Sequence, residues 1–417
     1  MASSSVRRPG SRRAAKPATL KKTKRTISAP RSAALRASKR RTTVKKAAKA
    51  AAPKKVLKKK IVSFKMRRKP RTTKISGVRL PKALPRTTQL ERHPDNPILA
   101  PLAEHAWEAN QTFNAAALND GGAVHLLYRS IGHDGLSRFG YASSTDGVTI
   151  DERSAEPAFT LEIDPKDKPA IPGWYSSGGS WGGAEDPRLA AIDGKIYMTY
   201  TGIYDGLPRV ALASIERNDF LDHVWKWSRS KFISPPGEVH KNWVLFPEKI
   251  NGKFAIMHSM SPKIEVEYLD DLDFEDGSHI KSTAYHRADV QIKDGTWEKS
   301  IRGPGPTPIK TKYGWLVLYH GTTKDCGYKM GAMLLDRKDP TKIIARADEA
   351  ILEPSTWYEQ GGWKGNIIYS CGAVVVGDDL LIYYGAADSV LCVAKANLED
   401  FLKALIDTKK PKVKNRM

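Results

Sequence analysis

The sequence predicts an all-β fold, a five-bladed β-propeller preceded by a disordered basic N-terminal tail. Three observations carry this prediction: five short apolar segments that each follow a turn signal, a second strand-like run after each one, and the near absence of helical periodicity. Repeats of this length are typical of propellers, in which each repeat forms one blade around a central channel. A β-sandwich with coincidental spacing is the alternative.

The five apolar segments combine β-branched and aromatic residues with a preceding Gly, Asp or Asn, the pattern of a strand in a hairpin. They are Val124–Tyr128, Ile196–Tyr200, Phe254–His258, Trp315–Tyr319 and Leu380–Tyr384. Aligned on Tyr128, Tyr200, His258, Tyr319 and Tyr383, they are separated by 72, 58, 61 and 64 residues. This loose period is about the length of one blade.

Each segment is followed, after a short loop, by a second strand-like run that ends in an acidic turn. The runs are Phe139–Ala142, Val210–Ala213, Ile264–Tyr268, Met330–Leu335 and Val390–Ala394. The best helical candidate is the short segment Leu398–Leu405. Because loops from every blade meet at one end of a propeller axis, we expect polar residues of different repeats to converge there.

Charge divides the chain into two parts. Residues 1–90 hold 31 Lys and Arg and no Asp or Glu, which leaves 38 basic and 45 acidic residues, a net −7, for the rest. The whole excess of +24 therefore lies in the tail. We predict two domains: a disordered tail at 1–85 and a catalytic propeller at 90–410.

The tail consists mainly of Lys, Arg, Ala, Ser, Thr and Pro, with Phe64 as its only aromatic residue. Such a composition buries too little apolar surface to fold alone. The first hypothesis is salt-dependent, sequence-independent binding of nucleic acid or another polyanion. A solvated extension without a specific role, an organelle transit peptide, and a true start near Met66 remain alternatives.

Several classes of protein are disfavoured. No apolar run is long enough to predict a membrane-spanning helix, and no apolar region follows the charged N-terminus as in a secretory signal. The three cysteines, Cys326, Cys371 and Cys392, include no CxxC pair and fit a reducing compartment, so we expect a cytoplasmic protein. Ligand spacing indicates no metal site, and the oligomeric state stays open.

Four polar clusters accompany the predicted strands, and they combine aromatic rings with amides, carboxylates and bases, as a carbohydrate site requires. They are Trp181–Arg188, His240–Glu248, Gly303–Lys310 with Tyr319–Gly321, and Tyr383–Asp388. In the first, Pro187 predicts an extended conformation for Asp186. Asp186 could instead cap a turn and pair with Arg188, and Trp243 could lie in the core instead of stacking on a sugar.

These residues together resemble glycoside hydrolase family 130, which includes β-mannoside phosphorylases and β-1,2-mannosidases. The resemblance runs from Asn96 to Phe401 and leaves the basic tail outside the family pattern. It is carried by Glu185-Asp186-Pro187-Arg188, Lys241-Asn242-Trp243, Phe246-Pro247-Glu248, Tyr319-His320-Gly321, Cys371-Gly372-Ala373 and Tyr383-Tyr384-Gly385-Ala386-Ala387-Asp388. It implies a five-bladed propeller that cleaves β-mannosidic linkages with inversion.

The resemblance also implies roles for individual residues. Asp186 matches the general acid, which protonates the glycosidic oxygen through a hydroxyl of the bound mannose. Substrate-binding candidates are Asn114, Arg129, Glu185, Arg188, Asn242, Trp243 and Asp388, and phosphate-binding candidates are Lys241, Lys310, His320 and Lys329. No cofactor is implied; inorganic phosphate is the co-substrate of a phosphorylase.

One departure leaves phosphorolysis and hydrolysis open. After His258 the phosphorylases carry an Arg that binds phosphate, whereas this chain has Ser259. Glu265 and Glu267 lie in the same repeat and are candidates for the base of a hydrolase, which activates water. A non-catalytic propeller that binds sugars, tethered to a polyanion by its tail, is the alternative from another class.

Overall fold

The computed structural model describes residues 87–162, 178–203, 206–282, 297–324 and 327–408. The predicted tail at 1–85 and Cys326 lie outside these residues. Cys371 and Cys392 are buried free thiols. Within the described ranges, no helix is both long and apolar enough to cross a membrane.

Strands dominate the described residues. In chain order, the first elements are β1 (Glu91–Arg92), β2 (Gln111–Asp120), β3 (Ala123–Ile131), β4 (Leu136–Ser144), β5 (Glu152–Arg153), β6 (Gly182–Ile192), β7 (Lys195–Ile203), β8 (Pro208–Glu216), α1 (Arg217–Leu221) and β9 (Lys231–Phe232). The remainder comprises β10 (Val244–Leu245), β11 (Phe254–Ser259), β12 (Glu265–Leu269), β13 (Ser300–Pro304), β14 (Ile309–Lys310), β15 (Trp315–Thr322), β16 (Tyr328–Leu335), β17 (Ile343–Arg346), α2 (Trp357–Gln360), β18 (Ile368–Val376), β19 (Asp379–Ala386), β20 (Val390–Asn397) and α3 (Leu398–Asp407).

The strands form five antiparallel units. Unit 1 is β2-β3-β4-β5, unit 2 is β6-β7-β8-β9, unit 3 is β10-β11-β12, unit 4 is β13-β15-β16-β17 with β14 beside β15, and unit 5 is β18-β19-β20-β1. A short parallel pairing of β4 with β6 joins units 1 and 2 into one sheet. The five predicted apolar segments are the second strands of these units, and the five following runs are the third strands, so those predictions are confirmed.

The first strand of each unit lies toward its neighbours. Strand β2 packs against β6 and β18, β10 packs against β6, and β18 also packs against β6 and β16. Strand β1, the start of the described chain, pairs with β20 and so supplies the fourth strand of unit 5. Units 1 and 5, at opposite ends of the described sequence, are therefore in direct contact.

Three units repeat one buried polar cluster, in which a Tyr hydroxyl donates to a Glu that is also paired with an Arg. The clusters are Tyr128 with Glu108 and Arg153, Tyr319 with Glu298 and Arg346, and Tyr384 with Glu359 and Arg92. The arginines lie on the fourth strands β5, β17 and β1. The repeated cluster shows that β1 occupies in unit 5 the place that β5 and β17 occupy in units 1 and 4.

Hydrophobic clusters fill the space between neighbouring units. One contains residues of units 4 and 5 together with helix α3, and another contains residues of units 1 and 2. Two glycines on third strands permit close packing within units 1 and 4, because a Cβ at Gly140 or Gly331 would lie 2.3 or 2.2 Å from the ring of Tyr128 or Tyr319. Helix α3 contains the predicted segment Leu398–Leu405, and Asn397 caps it by accepting from the Asp400 amide.

Candidate active site

Irregular backbone on the first strands brings the polar clusters together. The register shifts between Phe113 and Ala116 in β2 and between Glu185 and Arg188 in β6, as at a β-bulge. Such bulges redirect side chains and are frequent beside active sites. Most of the predicted Trp181–Arg188 cluster is thus part of strand β6, which directly precedes the second strand of unit 2.

Four site residues have left-handed backbone, which is uncommon outside glycine. Their φ angles are 46° for Asn114, 54° for Asp186, 64° for Asn242 and 49° for Asp388. The extended conformation predicted for Asp186 is therefore wrong, because the bulge turns the backbone at that residue. Strained conformations of this kind persist where the surrounding structure fixes them, and they cluster at functional sites.

The Asp186 carboxylate is held from two neighbouring strands of unit 1. Asn114 Nδ2 donates to Asp186 Oδ1 at 2.8 Å, and Arg129 Nη1 donates to the same oxygen at 3.2 Å. The side chain is almost fully buried. Both donors reach the same carboxylate oxygen, Oδ1.

Glu185 forms a second buried carboxylate beside Asp186. Arg129 Nη2 donates to Glu185 Oε1 at 2.8 Å, as does Ser180 Oγ at 2.9 Å, and Lys241 Nζ donates to Oε2 at 3.0 Å. Arg129 therefore bridges the two carboxylates, and Lys241 of unit 3 joins the cluster through Glu185. Buried charges of this kind are tolerated only when they are paired and hydrogen-bonded.

Arg188 links four units. Its guanidinium donates to the Asp186 carbonyl at 2.8 Å, to Asn242 Oδ1 at 3.1 Å and to the Gly305 carbonyl at 3.1 Å, and it reaches the Tyr369 hydroxyl at 3.5 Å. The Tyr369 hydroxyl also donates to Asn242 Oδ1. The alternative in which Asp186 and Arg188 form a surface turn is wrong, since both side chains are buried.

Electrostatics keep the Asp186 carboxyl ionised. Burial by itself raises its pKa, but the positive charges of Arg129, Arg188 and Lys241 outweigh burial and hold the pKa below its usual range. The same surroundings act oppositely on Asp388. There, burial is the larger effect, and together with the charges of Asp186 and Glu185 it raises the pKa of Asp388 to about 6, against the opposing charge of Arg129.

His320 is a neutral imidazole inside the site. Burial, with the neighbouring charge of Arg188, lowers its pKa to about 3. The Ser370 amide donates to His320 Nε2 at 2.9 Å, so Nδ1 carries the proton. The ring stacks on Tyr369 with centroids 3.8 Å apart. Among the described atoms, Nδ1 is buried without a hydrogen-bond partner.

Other predicted residues lie away from this cluster. Trp243 is buried in the core against residues of units 2 and 3, which was the alternative to sugar stacking. Lys310 pairs with Glu248 at the start of β15, the opposite end of that strand from His320, and Lys329 pairs with Glu353. The predicted phosphate contacts of Lys310 and Lys329 are therefore not assembled around Asp186.

The two candidate bases lie on β12, the third strand of unit 3. Glu265 Oε1 is 3.1 Å from Lys263 Nζ. In the described hydrogen bonds and ion pairs, neither Glu265 nor Glu267 contacts Asp186 or its partners. Because side chains alternate along a strand, both lie on the same face of β12.

A basic cleft adjoins the acid cluster and contains residues that the sequence did not single out. Its charged and polar lining consists of His240, Lys241, Asn242, His258, Ser259, Ser261 and Arg302. Arg302 and His258 come from β13 and β11, so no local motif joins them to Lys241. Across the part of the chain that the structure describes, no group of three His, Cys, Asp or Glu residues could hold a metal ion.

Comparison with known proteins identifies the family. The model of glycoside hydrolase family 130, described as β-1,4-mannooligosaccharide phosphorylase, matches residues 89–407. A 1,2-β-oligomannan phosphorylase of Thermoanaerobacter sp. is 37% identical over 322 residues, which is 75% of this chain and 98% of that protein. A β-1,2-mannobiose phosphorylase of the same organism is 36% identical, over 73% of this chain and 96% of its own length.

Solved structures are also similar to this chain. One of them is 27% identical with a TM-score of 0.59, over 74% of this chain and 94% of that one. Its description states that this family contains glycoside hydrolases that target β-1,2 mannosidic linkages in Candida mannan. A glycosyl hydrolase from Bacteroides ovatus is 26% identical with a TM-score of 0.58 and the same coverage. The comparisons support the predicted carbohydrate-active enzyme and give no support to a non-catalytic sugar-binding propeller. The chain belongs to glycoside hydrolase family 130.

Proposed function

We propose that this chain is an inverting phosphorylase that cleaves β-1,2-linked mannooligosaccharides with inorganic phosphate and releases α-mannose 1-phosphate. The observation that carries the proposal is the buried Asp186 carboxylate, surrounded by Arg129, Arg188 and Lys241 and adjoined by the basic cleft. The two phosphorylases that match nearly their full length support the choice of substrate.

In the proposed reaction, a phosphate oxygen forms a bond to the anomeric carbon while the bond from that carbon to the glycosidic oxygen breaks. The shortened sugar leaves with the electron pair of that bond and receives a proton from Asp186, relayed by a mannose hydroxyl. Attack from the face opposite the leaving group inverts the anomeric centre. Asn114 and Arg129 orient the acid, and Asp388 accepts hydrogen bonds from the mannose hydroxyls.

The proton on Asp186 must arrive with the substrates, because the surrounding cations hold the carboxyl ionised in the free enzyme. A phosphate dianion bound beside Lys241 offsets part of the positive charge that lowers this pKa. Phosphate binding therefore favours the protonated acid. A water molecule brings no such charge, so the electrostatics of the cluster favour phosphorolysis over hydrolysis.

The basic cleft is the proposed phosphate site. Lys241 and Arg302 supply charge, and His240 and Ser259 supply polar contacts from the same lining. Ser259 stands where the resemblance leads us to expect an arginine, and Arg302 brings a guanidinium to that cleft from another strand. His320 contributes as a neutral donor through Nδ1–H.

Hydrolysis is the second candidate, and Ser259 is the observation that favours it, because the expected phosphate-binding arginine is missing there. In that case Glu265 or Glu267 activates water. Product analysis on β-1,2-mannobiose with and without phosphate separates the two. Mannose 1-phosphate formed only with phosphate supports the phosphorylase, whereas free mannose formed at the same rate without phosphate overturns it.

We further propose that units 1 to 5 are the blades of a five-bladed propeller within a catalytic domain at 90–410. Support comes from the five antiparallel units of three to five strands, from the contact of β2 with both β6 and β18, and from the pairing of β1 with β20 in unit 5. The match of the family model to residues 89–407 supports the domain limits. Small-angle scattering of residues 87–417 tests the compact ring, which an extended profile would exclude.

The polyanion hypothesis for residues 1–85 remains a prediction. The charge arithmetic, 31 cations and no acidic residues before Glu91, is its basis. Full-length protein and a chain beginning at residue 87 should elute from heparin at clearly different salt concentrations. Equal elution would exclude the tail as the binding element.

A further inference from the structure

The loop that follows α2 carries an exposed tryptophan beside the site. Trp363 is 64% exposed, although large aromatic side chains are usually well buried. It lines a cavity of about 360 Å³ with the polar side chains of Asn110, Gln111 and Ser389. That volume is within the range of small-molecule sites. One exposed ring among amides and a hydroxyl matches a pyranose, which offers an apolar C–H face and directed hydroxyls.

The backbone on both sides of Trp363 is fixed to the segment that holds Asp388. The Trp363 amide donates to Ser389 Oγ at 2.7 Å, and the Lys364 amide donates to the Ala387 carbonyl at 2.9 Å. Gln111 also contacts this segment, since its Nε2 donates to the Asp388 carbonyl at 2.6 Å. The position of the ring is thus coupled to the proposed mannose-binding carboxylate.

Two consecutive glycines separate the ring from the acid cluster. A Cβ at Gly178 would lie 3.2 Å from the Arg129 guanidinium, and a Cβ at Gly179 would lie 2.9 Å from Trp363 Cε2. With adjacent Cα atoms about 3.8 Å apart, Trp363 lies within roughly 13 Å of Arg129. A di- or trisaccharide spans this distance. Gly179 has φ +100°, so a side chain there would be strained and would displace the ring.

We infer that Trp363 is a stacking platform for a sugar unit on the leaving-group side of the scissile bond, so that the enzyme acts on a chain of linked mannoses. This inference rests on the proposed function. The side-chain amide oxygens of Asn110 and Gln111, which line the same cavity, accept hydrogen bonds from hydroxyls of that sugar. Trp363 contributes to substrate binding and takes no part in proton transfer.

The test compares Trp363→Ala with Trp357→Ala, because Trp357 is also exposed, at 77%, and does not line the cavity. Steady-state kinetics use β-1,2-linked mannobiose, mannotriose and mannotetraose with saturating phosphate. We expect Trp363→Ala to raise the KM of at least one of these by about two- to tenfold with kcat unchanged, and Trp363→Phe to restore most of the loss. Trp357→Ala should match wild type.

Equal KM values for wild type and Trp363→Ala on all three sugars would overturn the inference while leaving the proposed function intact. If wild type turns over none of them, the proposed function fails, and calorimetry with mannotriose decides the inference separately. Weaker binding by Trp363→Ala than by Trp357→Ala supports the platform, and equal binding overturns it.

Discussion

Asp186→Asn removes the proposed proton donor while it preserves the local geometry. Asn retains the oxygen that accepts from Asn114 at 2.8 Å and from Arg129 at 3.2 Å. Asn also tolerates the left-handed φ of 54° better than most residues. The substitution therefore tests proton transfer and not folding.

The expected loss follows from the role of the acid. General acid catalysis contributes about 10²- to 10⁴-fold, or about 3–5 kcal/mol of the barrier, and we expect kcat to fall by that factor. The lost charge-assisted contact with Arg129 is worth about 1.5–3 kcal/mol, but Arg129 keeps its 2.8 Å bond to Glu185. At about 2 °C per kcal/mol for a domain of this size, Tm should fall by no more than about 6 °C.

The assay is phosphate-dependent release of mannose 1-phosphate from β-1,2-mannobiose, with Tm from calorimetry on the same sample. Asp186→Ala is the matched variant, since it removes the carboxylate and adds backbone strain at the positive φ. We expect it to lose the same catalytic factor with a larger fall in Tm. A kcat for Asp186→Asn within tenfold of wild type would refute Asp186 as the acid.

Three further predictions concern the pH dependence of stability, the place of β1 in unit 5, and the binding of phosphate. The pKa of Asp388 is raised to about 6 in the folded state, so the folded state binds more protons than the unfolded chain between about pH 4 and 6 and loses stability as pH rises. The free energy of unfolding of Asp388→Asn, measured in urea, should therefore rise by about 2 kcal/mol relative to that of wild type between pH 4.5 and 7.5. A difference between the two proteins that stays constant over this range would contradict the prediction. Arg92→Ala leaves the buried Glu359 with fewer donors and should cost about 2–3 kcal/mol in the same assay, whereas an unchanged midpoint would show that β1 does not close unit 5. Arg302→Ala should raise the KM for phosphate at least tenfold while the exposed Lys310→Ala does not; similar values for the two variants would remove Arg302 from the phosphate site.

The second and third strands of every unit could be predicted because they are short apolar runs bounded by turn residues. Val124–Tyr128 and Leu380–Tyr384 lie inside β3 and β19. The first strands escaped prediction because bulges break their period of two, and because Asn, Asp and Gly at the bulges give a loop-like pattern. Asp186 was predicted as the candidate acid from its motif, but its left-handed conformation depends on a pairing irregularity with β7 that no local pattern encodes.

The residues around Asp186 were harder to predict than Asp186 itself. Arg129, Glu185 and Arg188 converge as the resemblance implied, because they lie on strands whose pairing brings them beside Asp186. Lys310 and Lys329 were predicted to bind phosphate, but each is paired with a glutamate elsewhere. Arg302 belongs to no motif and was missed, since only the folded chain brings β13 beside Lys241.

The repeated cluster of Tyr, Glu and Arg includes, in unit 5, a partner that is distant in the sequence. Arg92 lies far from Glu359 in the chain, yet it fills the role that Arg153 and Arg346 fill within their own units. The alignment of the repeats takes Tyr383 as the equivalent residue of unit 5, and this is wrong, because Tyr384 is the tyrosine of the repeated cluster. The arginine of that cluster comes from the start of the described chain.

The most direct test of the account is ³¹P NMR of the wild-type protein with β-1,2-mannobiose and inorganic phosphate. Inverting phosphorolysis predicts that the phosphate signal falls as one new signal, that of α-mannose 1-phosphate, rises in equal amount. Consumption of mannobiose with no change in the phosphate signal would contradict phosphorolysis, and formation of the β-anomer would contradict inversion.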